Sequence, residues 1–317
     1  MTEIGQDLRK AKHILESGGL VAIPTETVYG LAANGLNSIA VAGIFEAKQR
    51  PSFDPLILHV SGLDGVREIV QHVPIDAELF ANSFWPGPLT MVMNKKQIVP
   101  DLVTSGLASV AARVPNHELT KTLLRSLDFP LAAPSANPFG YISPVTAEHV
   151  FQQLEGRVDY ILDGGPCKVG LESTIVSFVG EPTVLRLGGL SLEQIRAIMP
   201  EIKVNTHSSS KPEAPGMLES HYAPKKSIEL KDQFDAESID DFFEIGALMF
   251  QHYLDDIPME NQFILSAKGD LNEAAMRLFT GLRTLDANPN IKKIFTELVP
   301  EEGLGRAIND RIKRATA

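Results

Sequence analysis

The chain of 317 residues carries 29 Lys and Arg against 40 Asp and Glu. Its length predicts about two domains, and its composition, 44% hydrophobic and 22% charged, excludes wholesale disorder. One cysteine, Cys167, excludes a disulfide framework or a multi-cysteine metal site, and no apolar run approaches the roughly 20 residues of a membrane span.

The opening, MTEIGQDLRKAKHILESGG, has neither a basic n-region nor an apolar h-region, so no signal peptide is read and a reducing cytoplasm is the expected compartment. Leu8, Ala11 and Leu15 share a face there and predict a helix over about 6–17, ended by Gly18-Gly19. The apolar run 20–23 predicts a buried strand stopped by Pro24. Ile39, Ala40, Gly43, Ile44 and Ala47 predict a helix over 38–48, and 56–60 reads as a second buried strand. Further strand-like runs fall at 89–93, 109–114, 160–162 and 174–179. Strands alternating with helices predict an α/β domain over 1–200, with no strand order readable from the pattern. The polar, Ser- and Pro-rich stretch 205–216 predicts an extended linker within a connection spanning 201–224. Beyond it, a strand at 244–250, a helix at 271–285 with Ala274, Leu278, Leu282 and Leu285 aligned, and a last helix at 304–315 predict a smaller α/β domain over 225–317.

The acidic balance is spread over both parts: 15 basic against 20 acidic side chains in 1–200, and 14 against 20 beyond. With no Lys/Arg-rich block, that disfavours a grip on polynucleotide phosphates and suits a small anionic substrate.

Several segments carry polar chemistry. Pro24-Thr25-Glu26-Thr27-Val28-Tyr29-Gly30 follows the first strand, where open α/β sheets place ligands; alone, its ordinary reading is a turn and helix N-cap using Thr25 or Thr27. Lys48 and Arg50 close a helix and can meet its C-terminal dipole or a polyphosphate, and spacing alone favours the dipole. His59 on an apolar strand reads in isolation as a core histidine. Pro134-Ser135-Ala136-Asn137-Pro138 suits phosphate or ribose contacts, or an Asx turn. Gly164-Gly165 and Gly170 permit close approach of the backbone to a ligand. Cys167 reads as an incidental thiol, and Trp85 as packing a turn against the core. No Walker lysine motif, GxGxxG, HExxH or GxSxG is present, so the corresponding P-loop, dinucleotide, zinc-hydrolase and serine-hydrolase sites are unsupported.

Taken together, PTETVYGL (24–31), AKQRP (47–51), PLILHV (55–60), WPGPLT (85–90), ARVP (112–115), APSAN (133–137), SP (143–144), GLESTIV (170–176) and LRLGG (185–189) resemble the threonylcarbamoyl-AMP synthase family of YrdC-like proteins. PGMLESHYAP (215–224) and GLGRAINDR (303–311) resemble its longer, two-domain form. The resemblance implies a twisted open α/β YrdC-like domain with a large cleft, plus a small Rossmann-like α/β C-terminal domain. It implies conversion of L-threonine, bicarbonate and ATP to threonylcarbamoyl-AMP and pyrophosphate, for threonylcarbamoyladenosine in tRNA. A separate tRNA threonylcarbamoyl transferase complex would receive the product, so neither a membrane nor strong direct nucleic-acid binding is expected.

Carried over by residue, Thr27, His59, Arg113, Ala133 and Ser173 look like the threonine pocket, with Arg113 pairing the amino-acid carboxylate and Ala133 offering only backbone. Arg50, Asp54, Ser109, Ser135, Asn137, Ser143, Arg186 and Tyr222 look like ATP contacts, and Lys48 and Arg50 like the catalytic cations. Mg2+ would arrive with ATP, held mainly by phosphates. Asp54 departs from the family's frequent Asn, and a carboxylate beside polyphosphate repels it unless it faces a cation or the ribose; Ser109 replaces a more usual Thr. Tyr222 would end a linker able to lie over the cleft and exclude water. The competing readings are an RNA-binding or ribosome-associated module, and carbamoyl transfer from carbamoyl phosphate.

Overall fold

The structure, a computed structural model, describes residues 2–206, 222–230 and 242–317. All but residues 205 and 206 of the stretch 205–216, expected as a linker, lie outside the described residues. The described chain divides into two units. The first holds 2–139, 143–168 and 172–206; the second holds 140–142, 169–171, 222–230 and 242–317. The sequence expectation of one unbroken domain through residue 200 is therefore corrected at two short loops, which cluster with the C-terminal unit.

Local chemistry sets the helices. Asp7 caps the helix Leu8–Glu16 by accepting from the amides of Arg9 and Lys10, and Ala11 and Leu15 on its inner face are buried. Asn37 caps Ser38–Lys48 in the same way, and Gln49 closes it in the left-handed region at φ 54°. Both helices match the sequence reading to within two residues.

The strands of the first unit are β1 (Glu3–Gly5), β2 (Val21–Ile23), β3 (Gly30–Asn34), β4 (Ile57–His59), β5 (Leu89–Asn94), β6 (Ser109–Arg113), β7 (Leu131–Ala132), β8 (Tyr160–Leu162), β9 (Thr174–Ser177), β10 (Thr183–Arg186) and β11 (Lys203–Val204). They form one mixed sheet, in the order β1-β8-β2-β3-β7-β4-β6-β5-β9-β10-β11. β4 and β6 run parallel, and β5 runs antiparallel to β6 and parallel to β9. β3 pairs antiparallel with both β2 and β7, so the loop 24–29 leads into a strand and the helix N-cap reading of Thr25 and Thr27 is overturned.

Because side chains alternate along a strand, residues two apart share a face. Ile57, Val92, Ala111, Ile175 and Leu185 form one apolar cluster on the central strands. His59, Arg113 and Thr90 lie two residues from Ile57, Ala111 and Val92 respectively, so the same face that is apolar in mid-sheet turns polar where β4 and β6 end.

In the second unit, β12 (Ser227–Leu230), β13 (Ile245–Met249), β14 (Gln262–Ile264) and β15 (Lys293–Thr296) form a parallel sheet in the order β12-β15-β13-β14. The helix Leu271–Ala287 buries Ala274, Leu278, Leu282 and Leu285, as its spacing predicts, and Gly305–Ala315 is the last helix. Here Tyr141 donates to Asp286 Oδ2 at 2.6 Å, Arg283 donates to the Ile142 carbonyl, and Gly170 lies against the backbone of Ala275 and Met276. These contacts account for the two loops assigned to this unit. A mixed α/β unit and a small parallel-sheet unit make up the expected fold class.

Candidate functional site

The register of the large sheet aligns its polar side chains. Leu131, His59, Arg113, Thr90, Ile175 and Arg186 are successive neighbours across β7, β4, β6, β5, β9 and β10. His59 and Arg113 are the last residues of parallel strands, the end at which open α/β sheets bind ligands. Arg186 reaches the row through a register shift: between Val184 and Arg186, β10 spends one more residue than β9, which re-aims its final side chain.

Arg113 is the centre of the first subsite. Its Nη1 donates to Thr27 Oγ1 at 2.8 Å, its Nε to the Gly87 carbonyl at 3.2 Å, and its Nη2 stands 2.7 Å from Glu26 Oε1. The loop 24–29 is shaped for this contact. Thr25 Oγ1 accepts from the amides of Thr27 and Val28 and lies 2.7 Å from Thr27 Oγ1, while Glu26 Oε2 accepts from the Asn116 amide at 3.0 Å. Ala133, buried, has its amide bonded to the Ile57 carbonyl, on the strand that ends in His59.

His59 is 3% exposed and its Nδ1 has no hydrogen-bond partner among the described residues. Burial, reinforced by Arg113, pushes its pKa down to about 3. The imidazole is therefore neutral at physiological pH and able to accept or donate one hydrogen bond to a ligand; the core-histidine reading is correct for burial and incomplete for bonding.

Ser173 joins this subsite to the next. Its Oγ lies 2.7 Å from Thr90 Oγ1, and Arg186 donates to its carbonyl from Nε at 3.1 Å and from Nη2 at 2.9 Å, with a third contact from Nη2 to Oγ at 3.2 Å. Gly188 permits the fit: a Cβ there would lie 2.5 Å from the Ser173 carbonyl carbon.

The second subsite is built of cations. Arg50 Nη2 pairs with Asp54 Oδ2 at 2.8 Å, and Arg50 also donates to the carbonyls of Asp54 and Pro55 at 3.1 and 2.9 Å. Lys48 is 1% exposed and donates to the carbonyls of Ser135 and Asn137, each at 2.5 Å, so its ammonium fastens the 134–138 turn instead of capping its own helix. Burial, then Arg50, holds the Lys48 amine well below the ordinary lysine range. Asp54 is fully buried, pushed up by burial and pulled back by Arg50, Lys48 and Arg186. The carboxylate that stood out in the sequence thus faces the Arg50 guanidinium. Asn137 donates to the Pro138 carbonyl at 2.9 Å, and Ser143 donates to Glu172 Oε1 at 2.5 Å.

The structure thus brings Thr27, His59, Arg113, Ser173 and Arg186 together, pairs Arg50 with Asp54, and has Lys48 hold the turn bearing Ser135 and Asn137. Ser109 opens β6, about 13 Å along the strand from Arg113 at ordinary strand rise, and its side chain makes no hydrogen bond among the described residues. Tyr222 belongs to the second unit, its ring stacked on Phe279 at 5.7 Å with the Arg311 guanidinium 5.2 Å from its centroid. Gly164 serves the protein itself: a Cβ there would crowd His117 and Pro24, and its amide donates to Tyr29 Oη at 3.1 Å. Trp85 is only partly buried and anchors its turn through Nε1 to the Leu89 carbonyl at 2.7 Å. Cys167 is buried and its thiol pushed up, chiefly by burial.

Sequence reasoning left Thr90, Glu172 and Gly188 without roles, although each lies inside a quoted motif or beside one. The signal was there for the first two: a hydroxyl or carboxylate within a run that otherwise supplies site residues.

A cavity of about 280 Å3 opens beside the row, lined by Ser61, Trp85, Pro86, Val114, Lys121 and Arg125 among others; it contains none of Lys48, Arg50, Arg113 and Arg186.

Known proteins resemble this chain over nearly its whole length. Residues 13–188 match the family described as "Telomere recombination", and 190–317 match "Threonylcarbamoyl-AMP synthase, C-terminal domain". The chain is 38% identical to a threonylcarbamoyl-AMP synthase of Pyrococcus abyssi, over 98% of this chain and 94% of that one. It is 36% identical to that of Bacillus subtilis, over 97% and 92%. The crystal structure of P. abyssi Sua5 complexed with L-threonine superposes with a TM-score of 0.90 at 36% identity, covering 100% of this chain and 97% of the other.

Proposed function

The chain belongs to the threonylcarbamoyl-AMP synthase family in its two-domain form, and from this membership we infer its reaction and assign its residues. It condenses L-threonine, bicarbonate and ATP into threonylcarbamoyl-AMP and pyrophosphate, the nucleotidyl transfer that feeds threonylcarbamoyladenosine formation in tRNA. One observation carries the residue assignment: Arg113, bonded to Thr27 and in register with Thr90, and Arg186, bonded to Ser173, come from distant stretches and meet across the Thr90–Ser173 contact, while Arg50 pairs with Asp54 and Lys48 holds the 134–138 turn.

The chemistry needs no protein nucleophile. The threonine amine takes up CO2 or bicarbonate, and the carbamate oxygen then attacks the α-phosphorus of ATP in line, expelling pyrophosphate. Positioning and charge neutralisation do the work. Arg113 is the fork for the threonine carboxylate, and its bonds to Thr27 and Gly87 fix the fork's plane. Neutral His59 offers a hydrogen bond to the amino acid without adding charge. Thr27, the Ala133 backbone and Ser173 complete that pocket. Arg50 and Arg186 take phosphate oxygens, and Lys48 shapes the turn bearing Ser135 and Asn137. Ser109 and Ser143 complete the nucleotide contacts on the strength of the motif resemblance.

Mg2+ enters on the phosphates of ATP, whose charge it offsets. Among the described residues no group of three or more His, Cys, Asp or Glu side chains could hold a metal ion, and Glu26, Asp54 and Glu172 already face Arg113, Arg50 and Ser143. Among the described residues no helix is long and apolar enough to cross a membrane, and the cytoplasm is the compartment that supplies these substrates. The product, a labile mixed anhydride, calls for transient hand-off to a tRNA threonylcarbamoyl transferase complex.

The test is pyrophosphate release from ATP with threonine and bicarbonate, each omitted in turn. Release should require all three, and release that persists without threonine would sink the assignment. Titrating tRNA into the same assay separates the RNA-binding alternative, which predicts salt-dependent affinity without turnover.

A further inference from the structure

Asp54 sits where the charges meet. Its carboxylate is fully buried, 2.8 Å from Arg50 Nη2, and the charged groups that act on it are Arg50 and Lys48 from the end of one helix and Arg186 from the end of β10. One guanidinium at ion-pair distance, with the charges of Lys48 and Arg186 behind it, thus acts on one carboxylate of the protein. An ionised carboxylate has only acceptors, so it cannot bond a phosphate oxygen and repels it instead. We propose that Asp54 is a built-in counter-anion that holds the place of the triphosphate in the free protein, and that it takes up a proton as ATP binds. This rests on the assignment of Lys48, Arg50 and Arg186 to the triphosphate.

The physical reason is competition between two anions for one set of cations. In the free protein Asp54 neutralises Arg50 and keeps its side chain ordered, with two further bonds to the carbonyls of Asp54 and Pro55. When phosphate oxygens reach the same guanidinium groups, like charges at close range cannot both stay ionised, and the buried carboxyl is the group that protonates. Burial already favours its neutral form, and ATP removes the cationic restraint that opposes burial. The proton comes from the buffer to a carboxylate oxygen of Asp54, and no covalent bond to a heavy atom changes. In sign, the ATP-bound pKa exceeds the free one, so ATP binding draws in a proton, is strongest at low pH and weakens as pH rises towards the bound value. Across that window the dissociation constant rises by up to about tenfold per pH unit.

Calorimetric titration of the full chain with Mg2+·ATP, without threonine so that no turnover occurs, measures this directly. Repeating it in two buffers of different ionisation enthalpy gives the protons taken up per ATP. Asp54→Asn should take up fewer protons than the wild type, by up to about one. It should bind ATP about tenfold tighter at pH 8, the two converging as pH falls. Unchanged proton uptake, or weaker ATP binding in Asp54→Asn, would overturn the proposal. Asp54→Ser serves as a second neutral variant should the first not fold. Lys48→Met removes a second buried group able to gain a proton near Asp54, and the difference attributable to Asp54 should survive in that background. Arg186→Gln checks the underlying assignment: if ATP affinity is unchanged there, that assignment fails. If Arg186→Gln weakens ATP while Asp54→Asn leaves proton uptake as it was, only the counter-anion role fails.

Discussion

Replacing Arg113 by Met isolates the buried ion pair at the amino-acid subsite. Arg113 is 4% exposed and contacts Glu26 at 2.7 Å, Thr27 at 2.8 Å and Gly87 at 3.2 Å. Without it, the Glu26 carboxylate stays buried with the Asn116 amide as its remaining hydrogen-bond donor. An uncompensated buried charge of this kind costs about 3–5 kcal/mol. Glu26→Gln has one oxygen where Glu26 meets Arg113 and Asn116 with two, so its amide nitrogen faces one of those donors, and the change should cost about 1–3 kcal/mol. In the double variant the orphaned charge is gone, so the combined cost should fall short of the sum by about 1.5–3 kcal/mol. Urea unfolding followed by fluorescence reads this cycle cleanly, because the single tryptophan, Trp85, lies in the first unit, two residues before Gly87. Threonine binding should be lost in Arg113→Met whether or not Glu26 is also replaced. Additivity to within about 0.5 kcal/mol would refute the shared pair, and threonine binding that survives Arg113→Met would refute the subsite.

Two further expectations rest on neighbouring geometry. Gly188→Ala would place a methyl 2.5 Å and 2.6 Å from the carbonyl carbon and oxygen of Ser173, main-chain atoms that must move. Calorimetry should then show threonine and ATP affinities falling together, since Ser173 touches both Thr90 and Arg186; loss of one alone would contradict that link. His59, with a pKa lowered to about 3, is neutral when folded and takes a proton when unfolded below its ordinary 6.5. Its contribution to stability is therefore present at neutral pH and lost as pH falls from 6.5 towards 3. Between pH 7 and pH 5 this amounts to about 2 kcal/mol, visible as a steeper pH dependence of unfolding than in His59→Gln; equal slopes would show that the folded imidazole titrates normally.

What the sequence conveyed follows from the range of the interactions involved. Helices with a capping side chain and an apolar face, such as Leu8–Glu16 and Ser38–Lys48, are local objects, and their bounds were readable. So were β4 and β8, short apolar runs between breakers. β3 was not, because GLAAN has little strand propensity and is extended only through its pairing with β2 and β7. β7 has two residues and β11 is exposed at both, so neither leaves a periodic trace. At the site, residue types were legible and partners were not. Lys48 meets carbonyls 87 and 89 residues away, and Arg113 meets Thr27 86 residues back. No helical or strand period spans such distances. Asp54 was the residue that fitted least in sequence, and its fit became clear only when the Arg50 guanidinium was found 2.8 Å from its carboxylate.

The irregularity in β10 governs more than local geometry. Between Val184 and Arg186 the strand advances two positions while β9 advances one, so Leu185 joins the apolar layer and Arg186 still stands opposite Ile175. Trimming Leu185 would take a buried side chain from the apolar cluster and return the two strands to regular register, removing the local twist that a bulge gives the end of β10, where Arg186 meets Ser173. The setting of that guanidinium thus hinges on a counting mismatch between two adjacent ribbons, a property to which any comparison of side-chain types alone is blind.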